Sequence, residues 1–303
     1  YSWRGLVNLS TKKYSAYFLQ ELGVDEGKLP MIKNSDEIAG YTKEIEKESK
    51  LLPAGIPVYT GLNDYYAGLL GMGIGKPGQM FDITGTSEHL GVLQEEIALD
   101  TSLVSGPYIE HMVHYGVTAS SGSSIKYSLG LLEEKTFDLG EFMYAKPPIF
   151  LPYVKGERAP IWNANARGVF FGIEENCTKE QMAYGVMEGV VFSLYHIYET
   201  MGKPKISGGA AEIECLNCLK ADVFGVPIEI VEESDVSGLG ACMVAALGLG
   251  WYENRKKIAE EWVHISNRFL PEQENQPWFS KRFEIYKELY EKLRPMFEKW
   301  KEI

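Results

Sequence analysis

Short apolar strands that run into glycine-bearing turns, each followed by a helix or a returning strand, constrain this chain more than any other feature. Ile56 to Thr60 is a β-type run leading into Gly61-Leu62-Asn63-Asp64, and a small-residue helix is expected over Ala67 to Gly71. Gln79 to Thr84 is a second strand; it ends in Gly85-Thr86-Ser87 and resumes at Leu90 to Leu93, the pattern of a hairpin with a glycine turn. Lys205-Ile206-Ser207 enters Gly208-Gly209, and Pro227 to Val231 is a further strand. Helices are expected from Ser120 to Leu132, opening on Ser121-Gly122-Ser123, and from Gly238 to Leu247. Strands alternating with helices from Ile56 onward place the chain in the α/β class.

Three helical patterns frame these units. Tyr14, Phe18, Leu19 and Leu22 recur at helical spacing before Gly23 closes the run. Thr178 with Gln181 is a capping-box signature, and Met182, Val186, Val190, Leu194 and Tyr198 follow at steps of four, which predicts a long, largely buried helix. The tail repeats Phe279, Phe283, Tyr286, Tyr290, Leu293, Phe297 and Trp300 opposite a Lys/Glu face, with Pro295 expected to kink or interrupt it. A C-terminal helical appendage on the α/β domain follows.

Charge narrows the list of partners. The 303 residues carry a formal net charge of −12, which disfavours a large interface with nucleic acid or an anionic membrane, because both are bound through Lys and Arg. No apolar run reaches membrane-spanning length, and a cytoplasmic location is the expectation. Tyr1 reads as an internal start. Cys215 and Cys218 form a C-x-x-C, but they lie within the apolar run Ile213, Leu216, Leu219, Val223, with no second Cys pair or nearby His to complete a ligand set. They read as small hydrophobes on a buried helix face. The five histidines are scattered without ligand spacing, so no metal site is expected from protein side chains.

Phosphate groups need close backbone approach and several N–H donors, which glycine permits and larger residues block. Gly85-Thr86-Ser87 offers such a turn with two hydroxyls, Gly208-Gly209-Ala210-Ala211 offers one open to a flat ring, and Gly122 opens a helix. Each alone is a weak signal. Gly71-Met72-Gly73-Ile74-Gly75 has the look of a phosphate loop without its strand and helix context, and reads as structural. Asp64, after a glycine turn and before a helix, is either an N-cap or a general base; its position alone favours the cap.

Taken together, these residues resemble the FGGY-type carbohydrate kinases. Gly61-Leu62-Asn63-Asp64-Tyr65-Tyr66-Ala67-Gly68-Leu69-Leu70-Gly71 is similar to their G-x-x-D-x-x-A-G-x-x-G stretch, and Gly85-Thr86-Ser87 to their second phosphate loop. Pro152-Tyr153, Gly156-Glu157-Arg158-Ala159-Pro160, Trp162 and Arg167-Gly168-Val169-Phe170-Phe171-Gly172 resemble a third block. Gly208-Gly209-Ala210-Ala211, with Ala221-Asp222, Gly225, Pro227 and Gly240-Ala241 after it, resembles the adenosine loop. The order and spacing of the four blocks agree over nearly the whole chain.

The resemblance implies an actin-like ATPase (RNase H-like) fold and transfer of the γ-phosphoryl of ATP, with Mg²⁺, to a sugar hydroxyl. It puts Asp64 at the catalytic base, against the cap reading. It puts Gly85, Thr86 and Ser87 at the terminal phosphates, Gly122 and Lys126 at the nucleotide, and Gly208, Gly209 and Ala210 at the adenine. The Glu157–Arg158 pair reads as an ion pair organising a turn. Nothing upstream of Asp64 fits the D-x-G-T motif of the family's first domain. Residues 1–53 are therefore expected to continue from a missing N-terminal actin-like domain, residues 54–303 to form the C-terminal one, and the stretch alone to be inactive. The expected partners are a sugar substrate, that N-terminal domain and, by family likeness, a second copy in a homodimer. The substrate reads as a ketopentose such as xylulose, with gluconate or another polyol as the alternative. A regulatory nucleotide-binding module without catalysis is the competing function.

Overall fold

A computed structural model describes residues 5–8, 11–43, 53–85, 87–98, 102–132, 146–203 and 214–303. The chain opens with β1 (Val7–Asn8), β2 (Lys13–Tyr14), α1 (Ala16–Leu22), β3 (Ile38–Tyr41), β4 (Pro57–Tyr59) and α2 (Asp64–Gly71). Four strands follow, β5 (Met80–Ile83), β6 (Glu88–Gln94), β7 (Val104–Tyr108) and β8 (His111–Thr118), then α3 (Gly122–Leu132), β9 (Ile149–Leu151) and β10 (Val169–Phe171). Next come α4 (Lys179–Thr200), α5 (Glu214–Phe224), β11 (Ile228–Val231), α6 (Val236–Gly248), α7 (Arg255–Trp262), β12 (Ile265–Phe269) and α8 (Gln276–Trp300). Two compact units emerge: Tyr1–Gly75 with Gly106–Met112 and Glu232–His264, and Lys76–Ser105 with Val113–Val231 and Ile265–Ile303.

In the first unit, glycine sets how closely two helices approach. Gly68 and Gly71 on α2 face Val236, Ser237 and Gly240 on α6. A Cβ on Gly71 would run into the Val236 carbonyl oxygen, and one on Gly240 into the Ala67 carbonyl oxygen. No larger residue fits either position without moving a backbone. Leu70 on α2 packs with Met243, Val244 and Ala246 of α6 and Ile258 of α7 in a small core. Gly73 then turns the chain at φ +76°, so the run from Gly71 to Gly75 serves packing and turning, as its sequence context suggested. At the other end of this unit, the Ser15 side chain caps α1, and Gly23, in the left-handed region, closes it.

The second unit is built around α4. Thr178 and Gln181 form the reciprocal capping box, and the helix is buried almost continuously from Ala183 to Tyr198. Gly185 and Gly189 share one face four residues apart, and there the carbonyls of Pro148 and Phe150 lie against the helix. The aromatic stripe of α8 enters the same core, with Phe283 centred 4.8 Å from Tyr195 and 5.5 Å from Phe192. Glu188 of α4, fully buried, takes a two-pronged ion pair from Arg282 of α8, with Nε to Oε1 at 2.8 Å. Pro295 does not interrupt α8, which runs on to Trp300. It lies on the exposed face, where water can serve the carbonyl its missing N–H leaves unpaired.

Strands β5, β6, β8 and β7 make a four-stranded sheet in that order. β5 pairs antiparallel with β6, with Asp82 opposite Leu90, the hairpin foreseen from the glycine turn. β7 and β8 were not foreseen, because Gly106, Pro107 and Gly116 interrupt their apolar pattern. Likewise β12, which pairs antiparallel with β11, is largely exposed along Ile265–Asn267 and shows no half-buried alternation. The expected strand over 205–207 lies outside the described residues.

Replacing Gly240 with Ala should lower stability by about 3 kcal/mol, because a packed backbone must separate to admit the methyl group. Thermal unfolding checks this, and an unchanged midpoint would show that α2 and α6 do not meet at this residue.

Candidate functional site

Within the second unit, the end of β5 and the start of α3 open onto one cavity of about 1540 Å³. Gly85, Gly122, Ser123 and Lys126 line it. The first turn of a helix presents N–H groups that the helix itself cannot satisfy, and these favour an anion. The Ser121 carbonyl accepts the N–H of Ser124 and of Ile125, and Ser124 Oγ donates to the Pro152 carbonyl at 2.8 Å, so the start of α3 is fixed from both sides. Gly85 is exposed at the turn.

The rest of the lining is aromatic and cationic. Phe150 and Phe170, on β9 and β10, stack with ring centres 4.3 Å apart, and Trp300 of α8 lies on the same cavity. Lys126, Lys155 and Arg167 supply three cations. Lys126 and Lys155 have no ion-pair partner among the described residues, while Arg167 donates to the carbonyls of Ala164 and Ala166 at 3.0 and 2.8 Å. Flat apolar walls, free ammonium groups and a helix N-terminus suit a molecule that joins a planar ring to phosphates.

A buried ionic network stands behind the Gly85 turn. Lys220 Nζ of α5, with no exposed surface, donates to Asp82 Oδ2 at 2.7 Å and to Glu88 Oε1. Thr84 Oγ1 donates to Glu88 Oε1 at 2.7 Å, and Ser121 Oγ donates to Glu88 Oε2 at 2.6 Å. Burial, and then the charge of Glu88, push Asp82 well above the usual carboxylate range. Burial opposes the ionised form of Glu88 too, but the ammonium of Lys220 prevails and holds it below its ordinary value. Among the described residues Asp82 Oδ1 has no hydrogen-bond partner, and a buried oxygen left so disfavours charge on that carboxyl. Lys220 thus favours the ionised form of Glu88, and Asp82 is the weaker acid of the two.

Glu157, nearly buried, organises the neighbouring turn, but not by pairing with Arg158. Its carboxylate accepts from Thr118 Oγ1 at 2.8 Å, Ser193 Oγ at 2.9 Å, and the backbone N–H of Ala119 and Arg158 at 2.6 and 2.7 Å. Among the described residues no Glu157–Arg158 ion pair forms. The expected ion pair is corrected: the carboxylate takes neutral donors and Arg158 stays exposed.

Of the residues singled out in the sequence, Gly85, Gly122 and Lys126 meet on the cavity. Ser87 is half-buried beside them in sequence, its carbonyl oxygen 3.3 Å from where a Gly85 Cβ would lie. Thr86, Gly208, Gly209 and Ala210 lie outside the described residues. Asp64 belongs to the first unit and is exposed at the first position of α2. The cap of that helix is Asn63, whose side chain accepts the Tyr66 N–H at 2.8 Å, so the role that competed for Asp64 is already taken. Cys218 is exposed rather than part of a buried face. No group of three His, Cys, Asp or Glu side chains suited to a metal occurs among the described residues, and none of their helices is long and apolar enough to cross a membrane.

Residues 81–249 match the family model of the C-terminal domain of FGGY carbohydrate kinases, and residues 2–71 match that of the N-terminal domain. The chain belongs to the FGGY family of carbohydrate kinases. Among curated relatives, the xylulose kinase of Staphylococcus epidermidis is 30% identical over 292 residues, covering 88% of this chain and 57% of the relative. A glycerol kinase of Caldanaerobacter subterraneus is 26% identical, covering 93% and 59%. The chain thus spans a little over half the length of these relatives. The solved structure of a ligand-bound xylulose kinase from Lactobacillus acidophilus superposes with a TM-score of 0.85 at 25% identity, over 98% of this chain and 64% of that one. A gluconate kinase from the same organism gives 0.82 at 24%. The fold is the actin-like ATPase fold of FGGY kinases. Asp64 falls in the stretch matched by the N-terminal model. With both models matched, the expectation that this stretch is inactive by itself is not supported.

Missed in the sequence were Lys220, Glu88, Ser121 and the aromatic wall. Lys220 carried a signal: it lies four residues after Leu216 on the helix face that also bears Leu219 and Val223, and a cation on a buried face needs an acid.

Folded Asp82 holds its proton to higher pH than the unfolded chain does. Stability from this group is complete below the unfolded carboxylate pKa and declines as pH rises through the folded value. Asp82→Asn resembles the protonated acid in shape and cannot ionise. Its unfolding midpoint should gain on that of the unaltered protein as pH rises from about 4 towards neutrality. Parallel curves would show that Asp82 is ionised when folded.

Proposed function

We propose that this chain carries the ATP-binding part of a sugar kinase and that its reaction moves the γ-phosphoryl group of ATP to a sugar hydroxyl. The convergence of Gly85, Gly122 and Lys126 on one cavity with a stacked aromatic wall carries this reading. In it, Gly85, Thr86 and Ser87 hold the terminal phosphates. Gly122 and the ammonium of Lys126 steady the nucleotide, and Gly208, Gly209 and Ala210 take the adenine side. Phosphoryl transfer depends on in-line positioning and on neutralising charge over the phosphate oxygens, which is work for backbone N–H groups and fixed cations.

The residues present fit ATP by cavity size, charge and ring-stacking surface. The described cavity lining carries no carboxylate, so no side chain is assigned to Mg²⁺, which is usually held through one or two carboxylates and the phosphates rather than by an all-protein cage. Mg²⁺ would neutralise phosphate charge when bound.

Asp64 is the proposed general base. Its carboxylate is exposed at the start of α2, and its Oδ1 accepts only the adjacent Tyr65 N–H, at 2.8 Å, among the described residues. An acid that neither caps a helix nor pairs with a cation is free to accept a hydroxyl proton. The favoured substrate is a ketopentose such as xylulose, supported by the naming of several relatives as xylulose kinases. Gluconate and glycerol are the alternatives that the other relatives suggest.

Two measurements test the reading. Lys126→Ala should raise the KM for ATP about tenfold or more, the worth of one hydrogen bond to a charged group, with the sugar KM unchanged. Asp64→Asn should lower kcat about 10²–10⁴-fold with little change in the ATP KM. Undiminished phosphorylation across a panel of xylulose, gluconate and glycerol would remove Asp64 from the chemistry.

A further inference from the structure

The Lys220 network has a geometry that packing does not require. Apolar residues of the same volume fill a buried site at least as well as an ion pair does. Here the ions reach three separate segments, and each of the three carries or follows one of the glycine turns.

The Gly85–Ser87 turn is gripped on both arms. Asp82 and Thr84 precede it, Glu88 follows it, and all three meet at Lys220 Nζ, Thr84 Oγ1 at the longer distance of 3.5 Å. Thr84 Oγ1 also donates across the turn to Glu88 Oε1. The second carboxylate oxygen of Glu88 is held by Ser121 Oγ, and Ser121 immediately precedes Gly122, where α3 and its cavity-lining first turn begin. Lys220 itself stands on α5, which begins at Glu214, four residues after Ala210 in the sequence. One ammonium and one carboxylate thus fix the spacing of β5, β6, α3 and α5. All of these groups are buried except Thr84, which is half-buried.

We propose that Glu88 and Lys220, with Asp82 and Ser121, act as a positioning clamp. The clamp sets the distance between the Gly85 turn and the start of α3, and through that distance the affinity for the nucleotide rather than for the sugar. This rests on the ATP reading of the cavity. The clamp residues line no part of the cavity among the described residues, so they act through the turn and the helix and not by touching the nucleotide.

The mildest probe is Ser121→Ala, which removes a single hydroxyl donor to Glu88 and leaves the ion pair intact. Ser121→Thr keeps the donor, and Lys126→Ala reports on the cavity itself. Each is made in the full-length protein, with steady-state kinetics against ATP and xylulose and calorimetry with ATP and Mg²⁺. Ser121→Ala should raise the KM for ATP at least about fivefold, the lower end of ordinary coupling between sites. The sugar KM should stay within twofold, and Ser121→Thr should restore the ATP value. Glu88→Gln should give a larger ATP effect in the same direction; if it does not fold, Ser121→Ala still decides. A Ser121→Ala protein with unaltered ATP KM, beside a Lys126→Ala protein whose ATP KM rises, overturns the clamp and leaves the ATP site standing. Equal rises in both KM values also overturn it, since they indicate a general loosening. If neither variant changes ATP binding, the clamp and the ATP reading fail together.

Discussion

An ammonium group without access to water persists only where acids meet it, and Lys220 is such a group. Its presence dictates much of what surrounds it. Two carboxylates must come within hydrogen-bond reach, and in a dry site both cannot stay charged beside a single cation. The outcome is an unequal pair, with Glu88 the stronger acid and Asp82 the weaker one. Because these acids stand on opposite arms of a hairpin, satisfying the lysine also closes the hairpin. Because the remaining oxygen of Glu88 needs a donor, Ser121 is drawn in, and with it the start of α3. Electrostatic satisfaction and the spacing of the Gly85 turn from the start of α3 are here one requirement.

Glycine sets the spacing elsewhere. Gly185 and Gly189 let the carbonyls of the segment entering β9 rest on α4, and β9 supplies Phe150 to the cavity wall. Gly71 and Gly240 do the same for the helices of the first unit, where Asp64 begins α2. In each case the missing side chain brings a backbone closer to its neighbour than any other residue would allow. That closeness then fixes a functional element a few residues away. Flexibility is not the use these glycines serve, since their neighbours are buried and packed.

Much of this was legible in the sequence, and what was not has physical causes. Elements whose signal is local came through: the capping box of α4, the Gly23 end of α1, the Gly85 hairpin and the small-residue helix α6. Strands β7 and β8 did not, because Gly106, Pro107 and Gly116 lower their local propensity while pairing in the sheet restores it. At the site, the turn residues were weak signals one by one and became visible through the order and spacing of the blocks that resemble the family. The clamp did not, because Lys220 is separated by 132 residues from Glu88 and 138 from Asp82. Spacing along a chain records what neighbours need, and a buried ion pair records what distant segments need. Asp64 shows the converse. Its position alone favoured a cap, and the answer lay one residue earlier, in Asn63, whose side chain fills that role.

The charge balance fits a nucleotide partner better than a first look suggests. A chain with a net charge of −12 repels polyanions at long range. At physiological ionic strength, however, that repulsion fades over roughly 8 Å, so a ligand at the cavity responds chiefly to the groups beside it. Those groups are Lys126, Lys155 and Arg167 and the first turn of α3. Excess acid elsewhere therefore costs such a ligand little. The cations are also few, and Arg167 is held by the carbonyls of Ala164 and Ala166. A small anion gains nearly all that the cavity offers, and a long one gains no more. A net negative chain is therefore compatible with a small phosphate ligand held beside these cations.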